Sequence, residues 1–256
     1  MKVSCCAYSY RDLLKSDAMS LEDFIHTARE IRVDGVELTS YYFPETTDEY
    51  IYRLKRLVYR NGLDISGTAV GGAFTEPDEA KHAEHIAMVK EWVDLSQKLG
   101  SPVLRVFGGA VAKDDDEEQA VSRAVEGMRE CAEYGASRGV LIAMENHGGI
   151  TATAGMVLEL VRRVDHPWFG VNLDCGNYRS ADPYKEIEMT APYAIATHAK
   201  VSIRRGDERD PVDYYRVVEI LDHAGYNGFL SIEYEDPEDP VITIPRFAAY
   251  LRGIVR

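Results

Sequence analysis

The sequence predicts one α/β domain, a (β/α)₈ TIM barrel occupying residues 1–256, and three observations predict it. The length, 256 residues, is close to the roughly 250 of a typical barrel of this kind. A strand-like run followed by a helical pattern recurs eight times, about every 30 residues, which is the length of a βα unit. A doubly wound open sheet usually places a glycine-rich phosphate turn after its first strand, whereas this chain reads Tyr8-Ser9-Tyr10-Arg11 there.

The predicted strands, in order, are 3–7 (VSCCA), 35–39 (GVELT), 64–69 (DISGTA), 102–107 (PVLRVF), 140–145 (VLIAME), 169–174 (FGVNLD), 194–199 (AIATHA) and 228–233 (GFLSIE). Helical periodicity falls between them, near 20–32, 47–61, 78–99, 117–138, 154–164, 183–191, 212–223 and 241–254. Ser20 with Asp23, and Pro77-Asp78, mark helix starts, while Gly62, Gly100, Gly139 and Gly225 mark helix ends. The acidic run Asp114-Asp115-Asp116-Glu117-Glu118 precedes an apolar-periodic stretch, so it reads as a helix N-terminus whose carboxylates face the positive end of the dipole.

Composition narrows the function classes. Twenty-nine Lys and Arg stand against 43 Asp and Glu, a formal charge of −14 whose field repels phosphate backbones, so no nucleic-acid partner is expected. No run approaches the roughly 18 apolar residues of a membrane helix, so no membrane association is expected. The N-terminus MKVSCCAYSYRDLL has no apolar signal core and meets Arg11 and Asp12 at once, which makes a cytoplasmic location the expectation. Cys5, Cys6, Cys131 and Cys175 show no CxxC spacing and read as reduced thiols.

In a TIM barrel the active site lies at the C-terminal ends of the strands, and alternate strand residues share a face. Ala143, Glu145 and His147 then share a face, as do Gly170, Asn172 and Asp174, Ala196, His198 and Lys200, and Ser231 and Glu233. Leu141, Val171, Leu173, Ile195, Leu230 and Ile232 are assigned to the opposite faces, between strands and helices. Four consecutive strands therefore end in a metal-ligand type: Glu145, Asp174, His198 and Glu233. Three carboxylates gathered without a cation raise one another's pKa, and a divalent ion removes that repulsion. An oxygen-rich set with one imidazole suits Mn²⁺ first, then Mg²⁺, Co²⁺ or Zn²⁺. Singly, each residue reads as a loop carboxylate or a core histidine; together, on successive strands, they read as a site.

The segments Met144-Glu145-Asn146-His147-Gly148-Gly149, Leu173-Asp174-Cys175-Gly176-Asn177, Thr197-His198-Ala199-Lys200 and Ser231-Ile232-Glu233-Tyr234 resemble the xylose-isomerase-like TIM-barrel superfamily. Within it they are most similar to the sugar-phosphate isomerase/epimerase group, which includes ketose 3-epimerases and inosose dehydratases. The resemblance implies one metal on Glu145, Asp174, His198 and Glu233, with Glu145 and Glu233 doubling as acid and base. It implies a substrate-binding role for Arg204, six residues after His198 in the Arg204-Arg205-Gly206-Asp207 loop, and it brings an expectation of homo-oligomers. Two positions depart from the epimerase pattern: Asn177 stands in place of a histidine, and Thr151 in place of a glutamate. Both are substrate-holding positions.

Further candidates come from strand phase. His147 is read as a catalytic base or hydroxyl holder at the mouth, with loop hydrogen bonding as its plain alternative. Lys200 is read as steadying an enolate oxygen or pairing with Glu233. Glu37 and Arg105, charged residues in apolar strands, are read as polar contacts at the mouth or as a mutual salt bridge. Tyr8 and Phe107 are read as walls of a sugar pocket, Trp168 as core first, and Cys175 as structural.

The function expected is a divalent-metal-dependent isomerase or epimerase of an unphosphorylated ketose or keto-sugar, abstracting a proton through a metal-stabilised enediolate. The runner-up is a lyase or dehydratase on a 3-keto-sugar or inosose, by β-elimination. An abasic-site endonuclease ranks low, since only seven histidines are present and the charge opposes DNA. A non-catalytic sugar sensor is disfavoured by the intact ligand set.

Overall fold

The computed structural model describes residues 1–206 and 208–255; Asp207 and Arg256 lie outside the described residues. The elements run β1 (Lys2–Cys6), α1 (Arg11–Lys15), α2 (Leu21–Glu30), β2 (Gly35–Thr39), α3 (Asp48–Arg60), β3 (Asp64–Ala69), α4 (Glu79–Leu99), β4 (Val103–Phe107), α5 (Glu117–Arg138) and β5 (Leu141–Glu145). They continue with α6 (Ala154–Val164), β6 (Phe169–Asp174), α7 (Pro183–Thr190), β7 (Ala194–Ala199), β8 (Ser202–Arg205), β9 (Glu208–Pro211), α8 (Tyr214–His223), β10 (Phe229–Ile232) and α9 (Pro240–Ile254). Strands β1 to β7 and β10 pair in parallel around a closed barrel, and Val3 opposite Leu230 seals it. β8 and β9 form a separate antiparallel hairpin.

Local chemistry accounts for the helices. Ser20 and Asp23 exchange hydrogen bonds as a capping box at the start of α2, an arrangement whose cap alone is worth about 1 kcal/mol. α2 then buries Leu21, Phe24, Ile25 and Ala28, an i, i+3, i+4, i+7 stripe against the barrel. Each such large side chain contributes roughly 1.5–3 kcal/mol when fully buried. Asp116 caps α5 by accepting from the Gln119 amide, as the acidic run predicts. The four glycines expected at helix ends all have positive φ.

Four features differ from expectation. Neither α1 nor the β8–β9 hairpin carries a pattern long enough to be read; the hairpin interrupts the seventh βα unit, between β7 and α8, with charges of both signs instead of apolar residues. Leu141 is not on the helix-facing side but lines a cavity of about 250 Å³ inside the lower barrel, because it shares the phase of Ala143 and Glu145. Ile195 lines the same cavity. The β6–β7 register slips there, with Val171 opposite Ala194 but Asn172 opposite Ala196, so Ile195 falls out of the alternation. Val171, Leu173, Leu230 and Ile232 are fully buried, as assigned.

Candidate active site

The barrel delivers the four ligand-type residues to one point. Glu145 ends β5, Asp174 ends β6, His198 lies near the end of β7 and Glu233 follows β10, its amide still donating to Ala199 O at 3.1 Å. All four are at most 4% exposed. One ligand atom from each lies within 4.8 Å of the others. His198 Nδ1 stands 3.3 Å from Glu233 Oε2, 3.4 Å from Glu145 Oε2 and 3.9 Å from Asp174 Oδ2.

Neighbouring amides hold these side chains in place. Asn146 spans β5 and β6: its Nδ2 donates to Asp174 O at 3.0 Å, and its Oδ1 accepts from the Asp174 amide at 2.7 Å. The Gly176 amide donates to Asp174 Oδ1 at 2.8 Å. Asn172 and Asn177 each donate to Glu145, to Oε2 and Oε1 respectively, at 3.3 Å. Below the cluster, Arg105 Nε pairs with Glu145 Oε2 at 3.2 Å.

Burial and crowding perturb the acids. Burial raises Asp174 to about 7, against the pull of Lys200 and with the push of Glu145 and Glu233. Burial raises Glu145 as well, despite Arg105 and His198. Glu233 goes the other way: burial would raise it, but His198 and Lys200 outweigh burial and hold it well below the usual range. The contrast follows from distance, since Lys200 Nζ sits 2.6 Å from Glu233. Lys200 also reaches Asp174 at 3.4 Å and pairs with Glu235.

A divalent cation fits this donor set. His198 Nδ1 and Asp174 Oδ2 are buried with no hydrogen-bond partner among the described residues, and both belong to the cluster. The other imidazole nitrogen, Nε2, is held by Glu37, the carboxylate–histidine pairing that orients an imidazole for a metal. The residues able to hold the ion are therefore Glu145, Asp174, His198 and Glu233.

The remaining sequence candidates separate by position. Tyr8, Phe107, His147, Asn177 and Lys200 surround the cluster or its mouth. Burial and Glu235 raise the Tyr8 hydroxyl, with Arg11 near its ring at 5.2 Å. The exposed His147 ring packs on Phe107 at 4.4 Å between centroids. The His147 amide donates to Thr151 Oγ1 at 3.0 Å, so Thr151 pins this loop. Glu37 and Arg105 lie buried beneath the ligands instead of at the mouth, committed to His198 and Glu145 and not to each other. Arg204 is exposed on β8, and no hydrogen bond or ion pair among the described residues ties it to the cluster. Trp168 is half-buried ahead of β6, away from the mouth. Cys175 is buried, and burial pushes its thiol up.

Sequence reasoning missed Cys6, whose sulfur lies within 4.8 Å of ligand atoms of His198 and Glu233, and Glu235. Strand phase carries both signals: Cys6 alternates with the inward Ser4, and Glu235 stands two after Glu233.

The family model described as "Xylose isomerase-like TIM barrel" matches residues 25–252. The chain belongs to that family. Among curated family relatives, an L-ribulose-5-phosphate 3-epimerase, UlaE, of Escherichia coli strain K12 is 25% identical over 253 residues, spanning 90% of this chain and 88% of the relative. Among solved structures, an L-ribulose 3-epimerase superposes with a TM-score of 0.82 at 17% identity, over 99% of this chain and 94% of that one. A xylose isomerase-like TIM barrel protein from Mycobacterium smegmatis, in complex with magnesium, gives a TM-score of 0.78 at 16% identity, over 99% and 96%. No helix among the described residues is long and apolar enough to cross a membrane.

Proposed function

We propose that this protein is a divalent-metal-dependent epimerase or isomerase of a small ketose or keto-sugar. The observation that carries the reading is the pair Glu145 and Glu233, which approach His198 Nδ1 within 3.4 and 3.3 Å from strand ends separated by β6 and β7 around the barrel. A divalent cation on Glu145, Asp174, His198 and Glu233, with Mn²⁺ the first choice for such donors, supplies Lewis-acid stabilisation of negative charge on the sugar oxygens.

The chain's own groups do the rest. One carboxylate oxygen of the pair takes the proton from the carbon beside the carbonyl, and the other returns a proton to the opposite face. Composition is unchanged and the centre inverts. Arg105, Asn172 and Asn177 hold Glu145 still, and Lys200 holds Glu233. Tyr8, Phe107 and His147 wall the mouth and limit water. The names of the E. coli relative and of the ribulose epimerase neighbour support inversion at C3, and the magnesium complex supports a hard cation.

The test is incubation of Mn²⁺-loaded protein with ketopentoses and ketohexoses in D₂O, followed by NMR and mass spectrometry. Deuterium at the inverted carbon with carbon skeleton and hydroxyls intact is expected, and Glu145→Gln or Glu233→Gln removes it. Loss of water or of an aglycone instead rejects epimerisation in favour of elimination.

A further inference from the structure

Beside the ligand cluster lies a cleft of about 500 Å³, lined by His147, Thr153, Asn177, Arg179, Ser180 and Glu186 among others. It opens onto the site through Asn177, which donates to Glu145. A sugar whose reacting carbons sit at the cluster therefore projects its far end here. The lining is mixed, with hydroxyls, one amide, one imidazole, one guanidinium and one carboxylate.

The carboxylate decides what that far end can be. The first turn of α6 borders the cleft, and a helix start is where a phosphate ordinarily docks. Here the place is already filled: Glu186, from α7, accepts the Ala154 amide on Oε1 at 3.1 Å, and Thr153 Oγ1 accepts the Met156 amide. Glu186 has no ion-pair partner among the described residues. Its other oxygen, Oε2, is screened from solvent and receives no hydrogen bond. A carboxylate met by one helix-start amide and by no ion-pair partner among the described residues thus sits in the cleft wall of a chain that already carries −14. Arg179 is the single Lys or Arg in the lining, and one exposed guanidinium serves hydroxyls as well as anions.

We infer that Glu186 makes this cleft select an uncharged, polyhydroxylated tail and reject a phosphate. The inference rests on the epimerase reading above but goes further, since it separates this chain's substrate class from the phosphorylated ketose for which its E. coli relative is named.

The experiment separates the two ideas. Ribitol and ribitol 5-phosphate, which have no carbonyl and cannot react, are titrated calorimetrically into Mn²⁺-loaded wild type and Glu186→Gln protein. In parallel, D-ribulose and D-ribulose 5-phosphate are tested for turnover. Glu186→Gln keeps an oxygen for the Ala154 amide while removing the charge. Wild type is expected to bind ribitol at least about ten-fold more tightly than its phosphate, the discrimination that a like charge across the cleft imposes. The variant is expected to narrow that ratio to within about three-fold by weakening the repulsion. Equal or tighter binding of the phosphate by wild type overturns the inference, and so does an absence of ribitol binding or a ratio unchanged in the variant. The wild-type comparison stands whether or not the variant folds. If neither pentulose turns over while the binding preference and its loss hold, the epimerase reading falls and the role of Glu186 remains.

Discussion

Glu37 and His198 are 161 residues apart in sequence, yet Glu37 Oε1 lies 3.0 Å and Oε2 3.1 Å from His198 Nε2, with both side chains buried. Ser231 donates to the same carboxylate at 2.8 Å, and the Cys6 thiol lies 3.6 Å away. The pair fixes the imidazole so that Nδ1 faces the three carboxylates of the cluster. Glu37 thus works through His198, as a positioning residue. Glu37→Ala is expected to weaken Mn²⁺ binding by about 10–100-fold, the usual effect of losing such an outer carboxylate. Glu37→Gln, which still accepts one hydrogen bond, should lose less. Competition titration against a metal-indicator dye reads both, and unchanged affinity in Glu37→Ala would show that the imidazole needs no such support.

That relationship also shows what a sequence conveys about a site. The strand ends were legible because eight βα units repeat and alternation is strict near Glu145, Asp174, His198 and Glu233. Glu37 was legible only as an oddity: a lone carboxylate in GVELT signals a partner without naming it. The partner is set by barrel closure, which puts β2 across from β7. Leu141 and Ile195 went astray for two reasons, one a misassigned phase and the other a register slip with no local signature. Arg204 shows the limit of spacing. Six residues after His198 falls on an inserted hairpin, where sequence distance no longer measures position along a barrel strand.

Removing the cation should cost stability. Glu145, Asp174 and Glu233 are buried together, with Arg105, His198 and Lys200 as neighbouring positive groups. A ligand that binds only the folded chain adds about 2.7 kcal/mol at a concentration 100 times its Kd. For a domain of this size that corresponds to roughly 5–10 °C in Tm. Scanning calorimetry of chelator-stripped protein, with and without added Mn²⁺, should show this rise. Glu145→Gln combined with Asp174→Asn should abolish it, and a rise that persists in the double variant would place the ion elsewhere.

A separate acid sensitivity is built into α4. His85 packs its ring edge-on against Phe74 at 4.6 Å, and its Nε2 is buried without a partner among the described residues. Burial, aided by His82, pushes His85 down to about 4. The folded pKa is thus below the unfolded one, so the unfolded chain takes up the proton first. Stability from this group is complete above about 6.5 and is lost as pH falls toward 4. His85→Gln should flatten the fall in Tm between pH 6.5 and 4.5 relative to wild type. Parallel slopes for the two proteins would remove His85 from the account.

The loop after β5 offers the sharpest steric test. Gly149 has φ +52°, and a Cβ placed there would stand 2.1 Å from the backbone oxygen of Gly109 and 2.9 Å from Ala110 Cα. Both obstacles are main chain in the neighbouring βα loop, so neither can rotate aside as a side chain would. The Ile150 amide also donates to Gly109 O at 3.0 Å, which ties the two loops together. This contact explains the second glycine of the HGG sequence, which the motif alone left unexplained. Gly149→Ala must push the loops apart and carry His147 and Phe107 with them, since those rings are 4.4 Å apart across the same junction. The expected result is a loss of about 2 kcal/mol or more in stability, from strain at positive φ together with the backbone clash. The four proposed ligands lie deeper on the barrel strands and should keep their affinity for Mn²⁺, while the KM of any sugar substrate rises. Gly148→Ala supplies the comparison, because φ there is +90° but nothing lies within 4 Å of the added carbon. It should carry the conformational strain without the collision and lose measurably less. Equal losses in the two variants would mean that the close approach of the loops plays no part.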